Sequence, residues 1–174
     1  MALTKTVQDA LNRQLHDELS AAYTYLAMSA YCTAQNLNGF AHWLRIQARE
    51  EAGHAMRLYD FIQDRSGRVM LDAVERPPAD YKSPLDVAEH ALHHEQRVSA
   101  AINDLYGLTV QEKDWASQAF LQWFVTEQVE EEKTATQLVE TLRLIGSDRA
   151  ALLVLDKELG QRAGGRSDGR SGGQ

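Results

Sequence analysis

Cysteine and proline are both scarce in this chain, and each scarcity excludes a class of structure. Cys32 is the only cysteine among 174 residues, so no intrachain disulfide can form, which suits a reducing compartment. Only three prolines occur, which leaves long stretches free of the strongest helix breaker. No apolar run is long enough to cross a bilayer, and the first residues lack the apolar core of a signal peptide. We therefore expect a cytoplasmic protein.

The charge balance narrows the classes of partner. Acidic residues outnumber basic ones by 25 to 18, which gives a formal net charge of −7. A phosphate backbone or an anionic membrane surface attracts an excess of Lys and Arg, so we expect no general binding to nucleic acid or membrane. The sign of the charge fits a protein that binds cations better.

Turn-forming residues divide the chain into five predicted helices. Ser83 followed by Pro84 is typical of a helix start, and so is the capping-box pattern from Thr109 to Glu112. Ser147 is the predicted cap of the last helix. The predicted segments are Thr6 to Cys32, Phe40 to Arg65, Ser83 to Gly107, Thr109 to Gly146 and Asp148 to Leu159.

The lengths of the first four segments predict a helix bundle. Each is long against the usual mean of about 11 to 12 residues, and a bundle covers an apolar stripe along a whole helix. The connection over residues 67–82 could span about 50 Å when extended. A helix of about 27 residues is only about 40 Å long. The connection can therefore set the third helix parallel to the second, in an all-α four-helix bundle with a long crossover and a short fifth helix.

The end of the chain differs in composition from the rest. Residues 161–174 are rich in Gly, Ser and Arg, which predicts a disordered tail after a single domain over residues 1–160. The three arginines of this tail could contact a partner. A solvated tail is the commoner role for a short segment of mixed charge.

Each long helix carries ionisable or amide groups on its predicted buried face. They are Glu18 in the first helix, Glu51 and His54 in the second, Glu95 in the third, and Gln128 and Glu131 in the fourth. Burying a carboxylate is costly without a partner, and these faces offer no Lys or Arg. Two explanations are open: raised pKa values, or bound multivalent cations. The three-residue spacing of Glu51 and His54 favours cations, because both point to one spot.

These groups are weak signals singly and a strong signal together. A single Glu on a predicted stripe usually lies at its edge in water, and Glu-x-x-His occurs by chance on many helices. The same interruption in the middle of all four helices is hard to attribute to chance. Ferritin-like carboxylate proteins carry a Glu on each of two helices and a Glu-x-x-His on each of the other two. Gln128-x-x-Glu131 departs from that pattern.

Three segments resemble those of bacterial non-haem ferritins. They are REEAGH at residues 49–54, HEQ at 94–96 and FLQWFVTEQVEEEK at 120–133, and the resemblance extends to about Leu159. Gln128 fits it, since non-haem ferritins carry Gln where bacterioferritins carry a second Glu-x-x-His. The resemblance implies an iron-storage protein with ferroxidase activity. Such a protein oxidises Fe(II) at a diiron site with O2 or H2O2 and stores ferric mineral inside a homo-oligomeric, 24-subunit cage.

The resemblance also assigns site residues. It implies a first iron on Glu18, Glu51 and His54, a second on Glu51, Glu95 and Gln128, and a possible third on Glu50, Glu127, Glu130 and Glu131. Tyr25 matches the family's tyrosine beside the diiron centre, although a core aromatic is the commoner interpretation of such a residue. Bacterioferritins ligate haem through a Met directly after the Glu that corresponds to Glu51. Ala52 stands there, so we expect no haem.

Two alternatives remain open from the sequence. One is a DNA-protecting mini-ferritin, which normally lacks a fifth helix and places its site between subunits. The other is a non-enzymatic structural bundle whose inward carboxylates really lie in water. The predicted fifth helix argues against a mini-ferritin. Its apolar side chains have to be buried against another surface, and ferritins bury them by clustering such helices at the symmetry axes of the cage. Those side chains are Leu152, Leu153, Val154, Leu155 and Leu159.

Overall fold

Five helices make up the secondary structure of the computed structural model, which describes residues 2–162. They are α1 (Lys5–Ala34), α2 (Asn38–Asp64), α3 (Pro84–Gln111), α4 (Trp115–Ile145) and α5 (Arg149–Leu159). The predicted all-α class is therefore confirmed. Within the described range, no helix is both long and apolar enough to span a bilayer. The tail predicted from residue 161 onward lies outside the described residues after Arg162.

Capping side chains at the N-cap residue explain where every helix except α2 begins. Thr4 caps α1 by accepting a hydrogen bond from the Val7 amide. Ser83 caps α3 in the same way, with Pro84 as the first helical residue, as the sequence predicted. The predicted cap of α5 is wrong by one residue. Asp148, not Ser147, is the N-cap. Its carboxylate accepts hydrogen bonds from the backbone amides of Ala150 and Ala151 at 2.9 and 3.1 Å.

The predicted boundary between α3 and α4 is also wrong. Gly107 does not end α3, because a glycine inside a helix costs only about 1 kcal/mol and packing offsets that cost. The helix continues to Gln111, and the capping-box residue Thr109 lies inside it. The chain turns at Lys113, where φ is 55°, and Asp114 caps α4 by accepting from the Ser117 amide.

The connection over residues 65–83 sets the directions of the helices. It follows α1 along its length, since Asn12 donates to the Arg68 carbonyl at 3.0 Å and Tyr31 packs edge-on against Tyr81 at 5.3 Å. Short turns join α1 to α2 and α3 to α4, so each of those pairs is antiparallel. The crossover therefore places α3 parallel to α2, as its length predicted.

Two apolar clusters fill the ends of the bundle and leave a polar layer between them. The first cluster includes Val7, Leu11, Leu58, Ile62, Ile102, Leu105 and Leu121. The second includes Met28, Phe40, Leu44, Val87, Ala88, Leu138 and Leu142. The buried polar layer contains Gln14, Glu18, Gln47, Glu51, His54, Glu95, Gln128 and Glu131. Apolar burial on both sides supplies the stabilisation that lets this layer exist.

The fifth helix packs across the N-terminal end of α2. Its apolar face, formed by Leu152, Leu155 and Leu159, contacts the second apolar cluster. Asp156 accepts a hydrogen bond from the Phe40 amide at 2.9 Å, so a distant helix supplies the cap that Leu37 cannot provide. Gly39 permits the approach, because a Cβ there would lie 1.6 Å from the Asp156 carbonyl oxygen.

We expect Gly39→Ala to destabilise the protein by about 1 to 3 kcal/mol, since the new methyl group must push α5 away from α2. Gly107→Ala is the matched control, because a Cβ there meets nothing within 4 Å. That control should stabilise the helix by roughly 0.5 to 1 kcal/mol. Thermal unfolding followed by circular dichroism measures both. Equal unfolding temperatures for Gly39→Ala and the parent would contradict this packing of α5.

Candidate metal centre

Three ligand-type side chains meet in the middle of the bundle. Glu18 of α1 and both Glu51 and His54 of α2 place ligand atoms within 4.8 Å of one another. Glu51 and His54 lie on one face of α2 because they are three residues apart. The exposed fractions of the three residues are 1%, 1% and 6%. The structure thus brings together the residues that the resemblance assigns to a first iron.

The ligand atoms of this cluster are buried without hydrogen-bond partners. Within residues 2–162, no well-formed hydrogen bond involves Glu18 Oε2, either carboxylate oxygen of Glu51, or His54 Nδ1. The other Glu18 oxygen accepts a hydrogen bond from Gln14 at 2.8 Å. Buried polar atoms in native proteins are almost always paired with protein, water or an ion. Several unpaired ligand atoms facing one another therefore indicate a place for a cation.

Burial and mutual charge shift the pKa values of this cluster. Burial lowers the pKa of His54, but Glu18 and Glu51, with oxygens 3.7 and 3.5 Å from its Nδ1, outweigh burial and raise it to about 11. Burial raises the pKa of Glu51 well above its usual range. In Glu18 the contacts with His54 and Glu51 outweigh burial and lower the pKa. A metal ion bound to His54 would therefore have to compete with a proton for the imidazole.

Glu95 of α3 faces this cluster from the opposite side of the bundle. Its carboxylate accepts hydrogen bonds from the Tyr25 hydroxyl and from Gln128 Nε2, the latter at 3.2 Å. Gln128 also donates to the Glu95 carbonyl at 3.3 Å. Burial raises the pKa of Glu95 to about 7, and the charge of Glu95 in turn raises the pKa of Glu51. Tyr25, Glu95 and Gln128 therefore form the α3 side of the same layer.

Two carboxylates that the resemblance assigns to a third iron have partners of their own. Glu131 is buried and accepts from Gln47 Nε2 at 2.8 Å. Glu50 is partly buried and accepts from the guanidinium of Arg162 at 3.3 Å. Both are thus held by neighbours in α2 or by the chain that follows α5.

The other two carboxylates of that set lie nearer the surface. Glu127 is partly buried, and Glu130 is exposed, with Lys133 3.5 Å from its carboxylate. Among the described residues, these four glutamates do not form a compact ligand group like that of Glu18 and its neighbours. The third iron position therefore stays a prediction.

Three further residues contact this layer and were not among the predicted site residues: Gln14, Gln47 and Arg162. Gln14 precedes Glu18 by four residues and Gln47 precedes Glu51 by four, so each amide lies on the same helix face as a buried glutamate. That spacing is a signal that could have identified both. Arg162 offers no such signal, because it lies in a segment whose composition predicts a solvated tail. It donates to Gln47 and Glu50 from more than 100 positions away in the sequence.

Aromatic side chains close the cluster at the α4 side. Trp123 and Phe124 meet the His54 ring edge-on, with ring centroids 5.3 and 5.9 Å away. The guanidinium of Arg57 lies 3.8 Å from the centroid of the Trp123 ring, which fixes the indole further. These contacts orient the imidazole and keep water from its apolar side.

The donor set suits iron better than softer or smaller cations. Carboxylate oxygens with one imidazole are ligands for Fe(II) and Fe(III), while no thiolate contributes, since Cys32 belongs to the second apolar cluster. Few protein ligands per ion leave coordination positions open for a small oxidant. The arrangement can therefore bind divalent cations and support a redox reaction on them.

Comparison with protein families and sequences gives one consistent result. A model of the ferritin-like domain matches residues 8–145. The bacterial non-heme ferritin of Bacteroides fragilis (strain 638R) is 39% identical over 160 residues, which cover 92% of this chain and 99% of that protein. The bacterial non-heme ferritin of Staphylococcus aureus (strain USA300) is also 39% identical, over 92% of this chain and 96% of its own.

Solved structures agree with the sequence comparison. The open-pore ferritin from the hyperthermophilic archaeon Archaeoglobus fulgidus superposes with a TM-score of 0.92 at 49% sequence identity, covering 93% of this chain and 100% of that chain. A closed form of the same ferritin, engineered by site-directed mutagenesis, gives the same TM-score and identity over 93% and 99% of the two chains.

We expect Glu95→Gln to stabilise the metal-free protein near pH 8 and to change it little near pH 5. The raised pKa of Glu95, about 7 against 4.5, means that the folded protein keeps a proton which the unfolded chain loses. Stability therefore falls as pH rises from about 4.5 to about 7. Above about pH 7, the Gln side chain of the variant replaces a buried carboxylate charge. This replacement should raise the free energy of unfolding by about 1 to 3 kcal/mol.

Thermal unfolding with a metal chelator at the two pH values measures this difference. Glu140→Gln, an exposed substitution on α4, is the matched control and should change stability by under about 0.5 kcal/mol at either pH. An equal effect of Glu95→Gln at both pH values would contradict the raised pKa.

Proposed function

Because the chain belongs to the ferritin family of iron-storage proteins, we propose that it oxidises Fe(II) at the cluster of Glu18, Glu51 and His54. Fe(II) is the substrate, and O2 or H2O2 is the electron acceptor. The ferric product is stored as a mineral inside an oligomeric cage. The observation that carries this proposal is the set of buried, unpartnered ligand atoms in the middle of the bundle.

Cation binding is the explanation that best accounts for those atoms. Protonation could relieve one carboxylate, but it would leave other lone pairs of the cluster facing one another in the interior. A single imidazolium cannot pair with both oxygens of Glu51 and with Glu18 together. A divalent cation satisfies several oxygens at once and repays their desolvation.

Glu51 is suited to bind two ions at once. Both of its oxygens lack hydrogen-bond partners among the described residues. The charges of Glu18 and Glu95 both raise its pKa, so both carboxylates lie close to it. We assign the first ion to Glu18, Glu51 and His54. The second ion is assigned to Glu51, Glu95 and Gln128, whose carbonyl oxygen would have to turn inward, since its amide nitrogen now donates to Glu95.

The redox chemistry follows from two ions held side by side. Each Fe(II) gives one electron, so two of them reduce O2 to H2O2, or H2O2 to two water molecules, with two protons consumed. Tyr25 donates its proton to Glu95 in a hydrogen bond and thereby orients this carboxylate toward the layer. The carboxylate-rich ligand set stabilises the ferric product, because hard oxygen ligands favour the higher charge.

The two alternatives from the sequence fit the structure less well. A mini-ferritin would build its site between subunits, whereas Glu18, Glu51 and His54 converge within one chain. In a structural bundle without a metal site, the carboxylates would lie at the edge of each helix's apolar face, in contact with water. Here Glu18, Glu51 and Glu95 are each 1% exposed. Both observations support a ferroxidase that works within each subunit.

The cage is proposed from the family and from α5. Leu153 and Val154 point away from the bundle and remain 62% and 59% exposed in the single chain. Apolar side chains of this kind are covered when copies of the chain associate. We propose the 24-subunit cage of ferritins, located in the cytoplasm. Haem binding is not part of the proposal, since Ala52 cannot ligate a haem iron.

We expect Glu51→Gln to slow Fe(II) oxidation on the order of 10- to 100-fold or more, because it removes a carboxylate that both ions share. The growth of ferric absorbance after Fe(II) is added in air measures the rate, and an oxygen electrode measures the acceptor. Glu140→Gln, remote from the layer, should oxidise iron at the parental rate. Unchanged oxidation by the double variant Glu51→Ala, His54→Ala would refute the proposed site.

The oligomeric state provides an independent test. Size-exclusion chromatography with light scattering should give a particle of 24 chains, each of 19.5 kDa. Leu153→Glu places a charge in the surface that association would cover, and it should shift the protein toward smaller species. A monomeric parent protein would contradict the cage while leaving the metal site untouched.

A further inference from the structure

A pocket opens at the surface of the bundle between α1 and α3. Its volume is about 270 Å³, which is room for several molecules the size of water, each with a share of about 30 Å³ in the liquid. Side chains of both helices line it, among them Asp17, Ser20, Thr24, His94, Arg97 and Ala101. None of the candidate iron ligands is part of this lining, so the pocket is separate from the metal centre described above.

The side chain of His94 connects this pocket to the buried polar layer. Its imidazole ring meets the ring of Tyr25 edge-on, with centroids 5.9 Å apart, and Tyr25 in turn donates to Glu95. Burial lowers the pKa of His94 to about 4, and the charge of Glu18 opposes that shift, so Glu18 lies within electrostatic reach of the ring. His94 therefore contacts the pocket on one side and the metal layer on the other.

The two ring nitrogens of His94 have different surroundings. Nδ1 lies 3.3 Å from Arg97 Nη2, and a guanidinium can only donate, so Nδ1 accepts and Nε2 carries the proton. This Nε2–H group is buried and has no hydrogen-bond partner in the part of the chain that the structure describes. Buried donors without a partner are uncommon in folded proteins, and a small polar molecule passing His94 would accept from this one.

The polar groups of the pocket suit a small neutral molecule that both donates and accepts hydrogen bonds. The hydroxyls of Ser20 and Thr24 donate to backbone carbonyls at 2.8 and 2.9 Å, which leaves their lone pairs free to accept. Arg97 supplies donors, and its charge is offset by that of Asp17, so the lining has no net charge to attract Fe(II). Hydrogen peroxide is neutral and has both kinds of group, whereas O2 has no donor.

We propose that this pocket is the entry site through which hydrogen peroxide reaches the metal layer, passing His94 on the way. The inference rests on the proposed function, because it concerns the electron acceptor of the same centre. Two Fe(II) ions give two electrons to one H2O2, the O–O bond breaks, and two protons complete two water molecules. The ferrous ions do not use this pocket, so oxidant and iron reach the layer separately.

Filling the pocket tests the proposal. The assembled protein is loaded with Fe(II) without air and mixed with H2O2 in a stopped-flow instrument, and ferric absorbance gives the second-order rate constant. We expect Ala101→Leu to lower this constant about fivefold or more, because the added isopropyl group obstructs the approach of the oxidant. Ala100→Leu adds the same group at the exposed neighbouring position and should keep the parental rate constant.

The reaction with O2 separates obstructed entry from damage to the metal layer. O2 is apolar and is not confined to a polar entry, so Ala101→Leu should change its rate by less than about twofold. The affinity for Zn²⁺, measured by isothermal titration calorimetry, should also stay at the parental value, since Zn²⁺ binds these ligand types without redox chemistry. Equal slowing with both oxidants, or a loss of Zn²⁺ affinity, would overturn the proposal.

Thr24→Val tests the polarity of the pocket without filling it. Valine has nearly the shape of threonine but no hydroxyl, so the rate constant with H2O2 should fall about two- to tenfold, the effect of one lost hydrogen bond. The rate with O2 should not change. Thr33→Val is the matched control, because Thr33 is exposed on the same helix and its hydroxyl makes the same type of hydrogen bond to a backbone carbonyl, at 3.0 Å.

Two results with H2O2 would contradict the entry site. One is a parental rate constant for either Ala101→Leu or Thr24→Val. The other is a parent protein whose bound Fe(II) reacts with H2O2 no faster than free Fe(II) does. The proposed ferroxidase site fails on a different result, namely oxidation of Fe(II) that Glu51→Gln leaves unchanged with both oxidants.

Discussion

The burial of several carboxylates in one layer is the constraint on which the rest of the molecule depends. Glu18, Glu51 and Glu95 lie in the interior with one imidazole, that of His54, among them. One imidazole cannot neutralise three buried carboxylates, and the raised pKa values of Glu51 and Glu95 reflect the cost of burying them. Apolar clusters at both ends of the bundle supply the stability that keeps it closed. Metal binding at this layer would therefore also stabilise the fold.

The length and direction of the helices serve this layer. Ligands in the middle of a long helix lie far from its fraying ends, so their positions are well defined. The crossover over residues 65–83 lets α3 run parallel to α2, which places Glu95 opposite Glu51. Around this layer, side-chain amides do much of the positioning. Gln14 and Gln47 each hold one glutamate, leaving the remaining lone pairs free for a cation.

The architecture and the convergence of Glu18, Glu51 and His54 were predictable because they have local, periodic signals. Apolar stripes at helical spacing predict the bundle, and Glu51 with His54 interrupts a stripe at a spacing that points both side chains to one place. The errors occurred where local signals conflicted. Thr109 to Glu112 has the pattern of a helix start, but α3 continues to Gln111, and the buried Thr109 lies on its inward face.

The sequence by itself determined the helical lengths, the polar layer and its ligand types, since these depend on residues a few positions apart. Only the tertiary structure decided what closes the outer side of that layer. Asp156 caps α2 across 116 positions, and Arg162 reaches Glu50 across 112. Such contacts have no periodic signature, because they arise from how α5 docks rather than from the helix that carries the partner. The packing of α5 thus places Arg162, a residue of the predicted tail, beside Gln47 and Glu50 of the polar layer.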